Sequence, residues 1–289
     1  MKRDASHNLA GSLWMIASMA GFAVEDAFLK SAASHVPVGQ VMLIMGIAGT
    51  IAFAGLAVWQ GQSPVPANLF RRTMIIRSVF EVAGRLFYAL AVALTPISTA
   101  SAILQATPLV VVLGAAYLFG EKVGVWRWAL IGAGFAGVMI IIRPGAEGFD
   151  ALSWLAVLGL LGFAGRDLAT RAAAPSLSMA QLGVAGFAVL AASGGLLILS
   201  SGGLAWPSGL AWAQIAATTL FGLLGYGALT QAMRTGQVSA VTPFRYSRLL
   251  FAMGLGITVF GERPDPATIL GSLIIVGCGV VLLSQSRRV

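Results

Sequence analysis

Long apolar stretches alternate with short polar connections along the whole chain, and each stretch is about 20 residues long. A helix of that length crosses the hydrocarbon core of a bilayer. The connections contain residues that end helices, such as Pro37, Pro96 and Pro207. The pattern therefore predicts an all-α integral membrane protein with ten transmembrane helices and no separate soluble domain. The predicted segments, numbered 1 to 10, are 9–30, 39–59, 73–95, 98–119, 125–143, 151–171, 178–200, 210–233, 239–260 and 267–284.

The composition excludes several classes of soluble protein. Hydrophobic residues make up 58% of the chain and charged residues 10%, whereas a soluble domain carries roughly 25% charged residues. The single cysteine, Cys278, excludes a disulfide framework, and His7 and His35 stand outside the apolar segments. Because no Cys/His cluster has the spacing of metal ligands, we expect neither a metal nor a cofactor.

Lysine and arginine in the connections predict the orientation of the chain in the membrane. The net charge is +8, and the apolar segments argue against nucleic acid as the partner of that charge. With both termini in the cytoplasm of a cell, the positive residues lie mostly inside, as expected for the inner (plasma) membrane. Inside fall Lys2, Arg3, Arg71, Arg72, Lys122, Arg127, Arg171, Arg234, Arg287 and Arg288, and outside fall Lys30, Arg143 and Arg263.

The chain repeats itself when it is shifted by 141 residues. The aligned positions include Gly21-Phe22-Ala23 with Gly162-Phe163-Ala164, Asp26 with Asp167, Gly84 with Gly225, and Phe119-Gly120-Glu121-Lys122 with Phe260-Gly261-Glu262-Arg263. The repeat predicts two five-helix halves, 1–146 and 147–289. Because five is odd, the halves must have opposite orientations in the membrane. Such inverted repeats are typical of transporters, since exchange of the two conformations opens the site to the other side.

Three features of the sequence resemble one family. The two Phe-Gly-Glu-(Lys/Arg) ends, the Gly-Phe-Ala-x-x-Asp of segments 1 and 6, and Arg143-Pro144-Gly145 resemble the drug/metabolite transporter superfamily, EamA-type branch. The resemblance covers essentially the whole chain. It implies a small-molecule substrate and a central cavity lined by segments 1, 3, 4, 6, 8 and 9. Transporters of this type include exporters of amino acids, aromatic ones among them, and carriers of riboflavin or S-adenosylmethionine.

Charged residues inside the predicted segments mark the candidate site, because each costs about 2.5–3.5 kcal/mol in the middle of a membrane helix. Away from the ends of the segments, charges fall only on segments 1, 3, 6 and 9, which the resemblance assigns to the cavity. These residues are Glu25, Asp26, Arg77, Glu81, Arg85, Arg166, Asp167, Arg245 and Arg248.

Two groups of these charges share a helix face. Arg77, Glu81 and Arg85 are spaced four residues apart. This spacing is typical either of an internal ion-pair ladder or of a cavity face, where Glu81 is the partner of Arg85 or a protonatable switch. Arg245 and Arg248, three residues apart, would repel each other unless an acid offsets them. Glu81 is one candidate for that acid. A carboxylate or phosphate of the substrate is the other, because the arginine fork binds such groups in a bidentate way.

Further polar and aromatic residues complete the candidate set. We expect Tyr88, Gln105, Tyr226 and Tyr246 to line the cavity, with Gln105 and Tyr246 aligned in the repeat. The aligned pair Asp26 and Asp167 is placed either to form opposite gates or to end helices at the hydrated interface. Pro108 and Pro243 each remove a backbone hydrogen bond and are candidate hinges. Glu121 and Glu262 are expected to be structural caps or loop anchors.

The sequence favours a transporter of small metabolites that works by alternating access. It contains no Gly-x-Ser-x-Gly turn and no P-loop, which argues against a membrane-embedded enzyme and against direct use of ATP. A passive channel would not require the inverted repeat. The preferred substrates are amino acids, aromatic ones first, moved outward. The alternative is an uptake carrier for riboflavin, S-adenosylmethionine or a similar metabolite, and no feature of the sequence sets an oligomeric state.

Overall fold

The computed structural model describes residues 2–119, 124–143, 150–172, 177–201, 203–235 and 242–285. Within these ranges the chain is helical, and no strand occurs, which confirms the all-α prediction. Short 3-10 helices cover Ala67–Phe70 and Thr242–Tyr246. The α-helices are α1 (Lys2–Ala33), α2 (Val38–Trp59), α3 (Arg72–Leu94), α4 (Ile97–Leu104), α5 (Thr107–Phe119), α6 (Val125–Ile142), α7 (Ser153–Ala172), α8 (Met179–Ser201), α9 (Gly209–Thr235), α10 (Ser247–Phe260) and α11 (Pro266–Gln285).

Several helices have the length and composition of membrane spans. The five that meet both requirements are Leu9–Ala33, Val38–Trp59, Ile97–Leu118, Met179–Ser200 and Gly209–Ala232. Shorter apolar helices cover Trp128–Ile142 and Pro266–Val281. Helices α3 and α7 are long enough but carry the buried charges, which lower their hydropathy. Large apolar side chains such as Ile51 and Leu273 are exposed on the outer surface, where lipid would cover them. The prediction of ten spans is therefore supported in part.

Helices of one half of the chain pack mainly against helices of the other half. The most extensive contacts join α1 to α9, α2 to α8, α3 to α7 and α6 to α11, and α4 also packs against α10. A shift of 141 residues exchanges α1 with α7 and α3 with α9, so it converts the α1–α9 contact into the α7–α3 contact. It converts the α2–α8 contact and the α6–α11 contact each into itself. The pairing thus follows the repeat found in the sequence.

Glycines allow the two equivalent helix pairs to cross closely. A Cβ atom at Gly21 of α1 would lie 3.2 Å from the Cα atom of Gly225 on α9. A Cβ atom at Gly162 of α7 would overlap the backbone of Gly84 on α3. Gly21 aligns with Gly162, and Gly84 with Gly225, so both crossings are built from the same two positions of the repeat. Close backbone approach at small residues is how membrane helices gain packing contacts.

The predicted segment 98–119 is two helices rather than one. Helix α4 ends at Leu104, and α5 begins at Thr107. Pro108 has no N–H to donate to the carbonyl oxygen of Leu104, which would be its partner in a continuous helix. That oxygen instead accepts a hydrogen bond from Thr107 Oγ1 at 2.5 Å. The predicted membrane span is supported as Ile97–Leu118, but its helix is interrupted in the middle, where proline and threonine together stabilise a break.

The predicted segment 239–260 is also not one regular helix. Among the described residues it begins with the 3-10 helix Thr242–Tyr246, which contains Pro243, and continues directly as α10. The chain before Thr242 lies outside the described residues. Both segments with a candidate hinge proline are therefore irregular near that proline. Movement at either site stays a prediction.

One carboxylate fastens the second half of the chain to the first. Glu262, just after α10, accepts hydrogen bonds from the backbone N–H of Ile97 at 2.7 Å and of Ser98 at 3.1 Å. It also accepts one from Ser98 Oγ at 2.5 Å, while Lys30 donates to the carbonyl oxygen of Thr95 at 2.5 Å. Glu262 thus satisfies free N–H groups at the start of α4. The prediction that it is an anchor is confirmed, and its repeat mate Glu121 lies outside the described residues.

Candidate functional site

The charged residues of segments 1, 3, 6 and 9 meet inside the helix bundle. Helix α1 packs against α3 and α10, and α3 packs against α7, so the residues on these helices become neighbours. Four of the side chains are almost completely buried, with exposed fractions of 6% for Glu25, 4% for Asp26, 7% for Arg77 and 2% for Glu81. Charges buried this deeply require partners, because their loss of hydration costs several kcal/mol each.

One set of partners surrounds Asp26, and we call Glu25, Asp26, Arg85, Tyr88 and Arg248 the Asp26 group. Arg248 Nη2 lies 2.6 Å from Asp26 Oδ2, and the hydroxyl of Tyr88 donates to the same oxygen at 3.0 Å. Arg85 Nη1 lies 4.0 Å from Glu25 Oε1, at the limit of an ion pair. Asp26 is therefore a buried partner of α10, and the hypothesis of a hydrated helix end was wrong for it.

Arg248 is held from three sides in this group. Its guanidinium lies 5.4 Å from the ring centres of both Phe22 and Tyr88, in addition to its ion pair with Asp26. Guanidinium groups are attracted to aromatic faces at such distances. Glu81 was one candidate for the acid that offsets Arg248, and the structure assigns that role to Asp26 instead. Arg248 is thus positioned by protein groups.

The second set of partners surrounds Glu81, and we call Arg77, Glu81, Arg166 and Asp167 the Glu81 group. Glu81 lies 2.8 Å from Arg77 Nη1 and 3.7 Å from Arg166 Nη1. Arg166 also forms an ion pair of 2.8 Å with its neighbour Asp167. The ladder predicted on α3 is confirmed for Arg77 and Glu81. It does not include Arg85, which is directed toward Glu25 in the other group.

Two phenylalanines support the arginines at equivalent positions. Arg166 lies 4.9 Å from the ring centre of Phe163, as Arg248 lies over Phe22. Phe22 and Phe163 are aligned in the repeat, within the Gly-Phe-Ala motif. In the sequence this motif marks the repeat and the family resemblance. Its presence next to buried charges was a signal that aromatic rings would face the arginines.

Arg245 differs from the other four arginines of the cluster. It is half-buried on the 3-10 helix, and the amide of Gln105 donates to its carbonyl oxygen at 3.1 Å. Asp167 attracts its guanidinium electrostatically, while Arg166 and Arg248 repel it. In the part of the chain that the structure describes, no carboxylate forms an ion pair with Arg245. Gln105 therefore helps to position the backbone of Arg245.

The three candidate tyrosines have different surroundings. Tyr88 belongs to the Asp26 group, where its hydroxyl also lies 3.4 Å from Ser101 Oγ. Tyr226 packs edge-on against Phe53 with ring centres 5.2 Å apart, and it interacts electrostatically with Glu81. Tyr246 instead packs against α11, where its hydroxyl contacts Gly279. Tyr246 also interacts electrostatically with Arg245, and its predicted place in a cavity stays a prediction.

A large groove lies outside the charged cluster, between α3, α5 and α7. Its volume is about 1060 Å³, and its walls are apolar, including Ile76, Phe80, Leu113 and Leu161. None of the clustered charges lines it. The central cavity implied by the resemblance therefore stays a prediction. In the described ranges, no three His, Cys, Asp or Glu side chains are placed to hold a metal ion.

Comparison with known families identifies two matching regions. Residues 9–143 and 151–285 each match the model of the EamA-like transporter family. The two matches cover almost the whole chain and correspond to the repeat described above. They make the chain a member of a family in which this unit occurs twice.

Several curated proteins resemble the chain over most of its length. A riboflavin transporter of Rhizobium johnstonii is 30% identical over 74% of this chain and 70% of its own. The pseudopaline exporter CntI of Pseudomonas aeruginosa is 25% identical, covering 96% and 97%, respectively. An S-adenosylmethionine uptake transporter of Rickettsia conorii is 22% identical, covering 97% and 94%. A crystal structure with 22% identity superposes with a TM-score of 0.61 over 98% of each chain, which shows the same fold.

Proposed function

We propose, from the premise that the chain belongs to the EamA-like transporter family, that it exports amino acids or similar zwitterionic metabolites by alternating access. Membership of this family and the apolar helices make the chain a multi-pass membrane protein that transports small metabolites. The proposal adds ten spans, inverted halves with cytoplasmic termini and a central site at the two charged groups. Aromatic amino acids are the preferred substrates.

The choice of substrate class depends on the surroundings of Arg245. The cluster contains five arginines and four carboxylates, and Arg245 is the arginine without an ion pair among the described residues. A buried cation of this kind is stabilised by an anionic ligand. A substrate carboxylate would fit its planar fork with two parallel hydrogen bonds. The substrate class then has at least one carboxylate.

The acids of the cluster complete a site for a zwitterion. Asp167 is the carboxylate that attracts Arg245, and its side chain is more exposed than that of Glu81. An ammonium group next to the bound carboxylate would lie within reach of such an acid. Tyr226 offers an aromatic ring beside the Glu81 group. Aromatic rings pack favourably against each other, which supports an aromatic amino acid.

The relatives favour a second candidate, uptake of riboflavin or S-adenosylmethionine. S-adenosylmethionine carries the same α-amino-acid group and would use Arg245 in the same way. Riboflavin has no carboxylate, and its flat isoalloxazine ring would depend on the aromatic residues instead. Substitution of Arg245 therefore separates the charged substrates from riboflavin.

The test is transport by purified protein in liposomes with labelled phenylalanine, S-adenosylmethionine and riboflavin as separate probes. Arg245→Gln should reduce transport of a carboxylate-bearing substrate at least about tenfold, because a hydrogen bond to a charged group contributes about 1.5–3 kcal/mol. Arg72→Gln, at the exposed start of α3, is the matched control and should transport normally. Unchanged phenylalanine transport in a correctly folded Arg245→Gln protein would contradict the proposal.

Direction of transport is tested in cells. A host strain without its own exporters should become resistant to toxic phenylalanine or tryptophan analogues when it makes this protein. Unchanged sensitivity, together with rescue of a riboflavin-requiring strain at low external riboflavin, would favour the uptake candidate. Reporter fusions at Val289 and within 61–70 should both report the cytoplasm, and an external signal at either position would contradict the topology.

A further inference from the structure

Glu25 is a buried acid without a hydrogen-bond donor. Its exposed fraction is 6%, and no hydrogen bond to its carboxyl group is found among the described residues. The nearest cationic atom is Arg85 Nη1, 4.0 Å from Oε1. The adjacent Asp26, in contrast, holds both Arg248 and the hydroxyl of Tyr88. The two neighbouring acids of α1 therefore differ in how well their charge is compensated.

The surroundings of Glu25 are mostly apolar or already committed. On α9 it faces Gly222, where a Cβ atom would lie 3.2 Å from the Glu25 Cδ atom, and the methyl group of Met45 on α2 approaches the same point. The charges that act on it are Arg85 on α3, Asp26 on α1 and Arg248 on α10. Neither α2 nor α9 supplies one of these charges.

Further titratable groups lie on the helices packed against α1 but have other partners or surroundings. Arg77 and Glu81 of α3 pair with each other, and Tyr226 of α9 interacts with the Glu81 group. Arg245 of the 3-10 helix is attracted by Asp167 of α7. Within the described ranges, none of these further groups therefore donates a hydrogen bond to Glu25 or compensates its charge.

The repeat shows what Glu25 lacks. The position aligned with Glu25 is Arg166, and the position aligned with Gly222 is Glu81. In the second location these residues form an ion pair of 3.7 Å, whereas in the first a carboxyl group faces a bare glycine backbone. A carboxyl group without a donor is costly in its ionised form and much less costly when protonated.

We propose that Glu25 binds and releases one proton in each transport cycle, so that the carrier is driven by a proton gradient. The proposal rests on the proposed transport function. The proton bonds to a carboxylate oxygen from water on one side and leaves to water on the other, and the rest of the site is unchanged covalently. When Glu25 is ionised it attracts Arg85, and when it is protonated that attraction is lost. Proton occupancy thus alters the contact between α1 and α3.

Proton binding can be measured without a substrate. Infrared difference spectra of the protein in liposomes, recorded as a function of pH, should contain a C=O stretching band of a protonated carboxylic acid that disappears as the pH rises. Glu25→Gln should remove this band, and Asp150→Asn, at an exposed connection, should leave it unchanged. A band that persists in Glu25→Gln, or the absence of such a band in the unmodified protein, would overturn the proposal.

Coupling is measured with labelled phenylalanine, or with whichever of the three probes the unmodified protein transports. At one proton per substrate, a gradient of one pH unit should drive up to about tenfold accumulation. Glu25→Gln should abolish this accumulation but retain exchange of labelled for unlabelled substrate. Gradient-driven accumulation by Glu25→Gln would overturn the inference. Absence of transport with every probe would contradict the transport function alone, because the infrared titration decides on the proton site independently.

Discussion

The Asp26 group and the Glu81 group lie at two helix crossings that the repeat makes equivalent, yet their chemistry differs. Both crossings join a Gly-Phe-Ala helix to a helix with a glycine at the aligned position, and both place an arginine over the phenylalanine. At the Glu81 group, one carboxylate lies between Arg77 and Arg166. At the Asp26 group, Gly222 occupies the position equivalent to Glu81, and Glu25 occupies the position equivalent to Arg166. The two crossings therefore share their close backbone approach but differ in their charges.

The difference in charge between the two groups suggests a separate role for Glu81 and for Glu25 in the proposed site. Glu81 is the most deeply buried of the acids and satisfies two arginines, which suits a fixed structural centre. Glu25 has one distant partner, which suits a group that changes its protonation. A site that both holds its shape and responds to a proton needs both kinds of acid. The following experiments test whether the two groups differ in this way.

The largest effect is expected at Glu81. Glu81→Gln leaves Arg77 and Arg166 without their shared carboxylate and should lower the free energy of unfolding by about 3–5 kcal/mol. Glu25→Gln should cost less than about 1 kcal/mol, because the lost pair is long and has no hydrogen bond. Unfolding in detergent micelles measures both. Equal costs for the two substitutions would remove the distinction between the groups.

The next largest difference in stability is expected between the two aspartates, and here the Asp26 group should show the larger cost. Asp26→Asn weakens the contact with Arg248 and should cost about 1.5–3 kcal/mol, the range for hydrogen bonds to charged groups. Asp167→Asn should cost at most about 1 kcal/mol, because Asp167 is partly exposed and Arg166 keeps Glu81. The same unfolding measurement applies. A larger cost at Asp167 than at Asp26 would contradict the assignment of partners.

The glycine crossings should behave alike, since this part of the symmetry is preserved. A Cβ atom at Gly84 would lie 2.8 Å from the ring of Phe163, and one at Gly225 would lie 2.9 Å from the ring of Phe22. Gly84→Ala and Gly225→Ala should each destabilise the protein by about 1–3 kcal/mol through overpacking. Gly55→Ala, where no atom lies within 4 Å of the new Cβ, is the control. It should stabilise α2 slightly, since alanine is the better helix former.

A clear difference between the two substitutions at the crossings would show that the packing has diverged along with the charges. The change in melting temperature of each variant, compared with that of Gly55→Ala, is the measurement. Such a difference would leave the ion pairs of the two charged groups unchanged, but it would show that the two helix crossings are not equivalent.

The smallest effect concerns Asp265, which lies outside both groups at the start of α11. It accepts a hydrogen bond from the backbone N–H of Thr268 at 2.8 Å, and the following Pro266 fits the first turn of a helix. Asp265→Ala should cost about 1 kcal/mol through loss of this cap. Asp265→Asn keeps a capping oxygen and is the control. Equal melting temperatures for the alanine variant and the unmodified protein would contradict the capping role.

The contribution of Asp265 should also depend on pH. Burial alone raises the pKa of Asp265, but hydrogen bonds from Thr268 and from Arg143 outweigh burial and hold the pKa below its usual value. Since the pKa is lower in the folded protein, the stabilisation is complete above the unfolded value of about 4 and is lost as the pH falls through the folded value. The difference in free energy of unfolding between Asp265→Asn and the unmodified protein should therefore become smaller at acidic pH.

Apolar segments and buried charges were visible in the sequence because their cause is local. A run of apolar residues forms a membrane helix whatever its neighbours, and a charge inside such a run needs a partner. The nine charged positions were found in this way, and the structure brings them together. An irregularity at Pro108 was expected, because proline removes a backbone hydrogen bond, but the sequence does not show that the Thr107 hydroxyl replaces the lost bond.

Ion pairs between different helices could not be predicted, because their members lie far apart in the sequence. Glu81 was the expected partner of Arg85 and a candidate for Arg248, but the packing of α1 against α10 gives Arg248 to Asp26. Tyr246 was expected at the site on the strength of its repeat mate Gln105. Its hydroxyl lies against Gly279 on α11, and the sequence does not reveal which helix packs there.

Helix content, the repeat and the family relationship follow from patterns that are written along the chain, since each depends on residues near one another or on two stretches compared directly. The pairing of α1 with α9 and of α3 with α7 depends on close crossings at Gly21, Gly84, Gly162 and Gly225, and it exists only when the helices are packed. That packing decides which arginine reaches which acid. The packing also places Glu25 opposite a glycine. Burial and electrostatic compensation are properties of the folded bundle, not of any one helix.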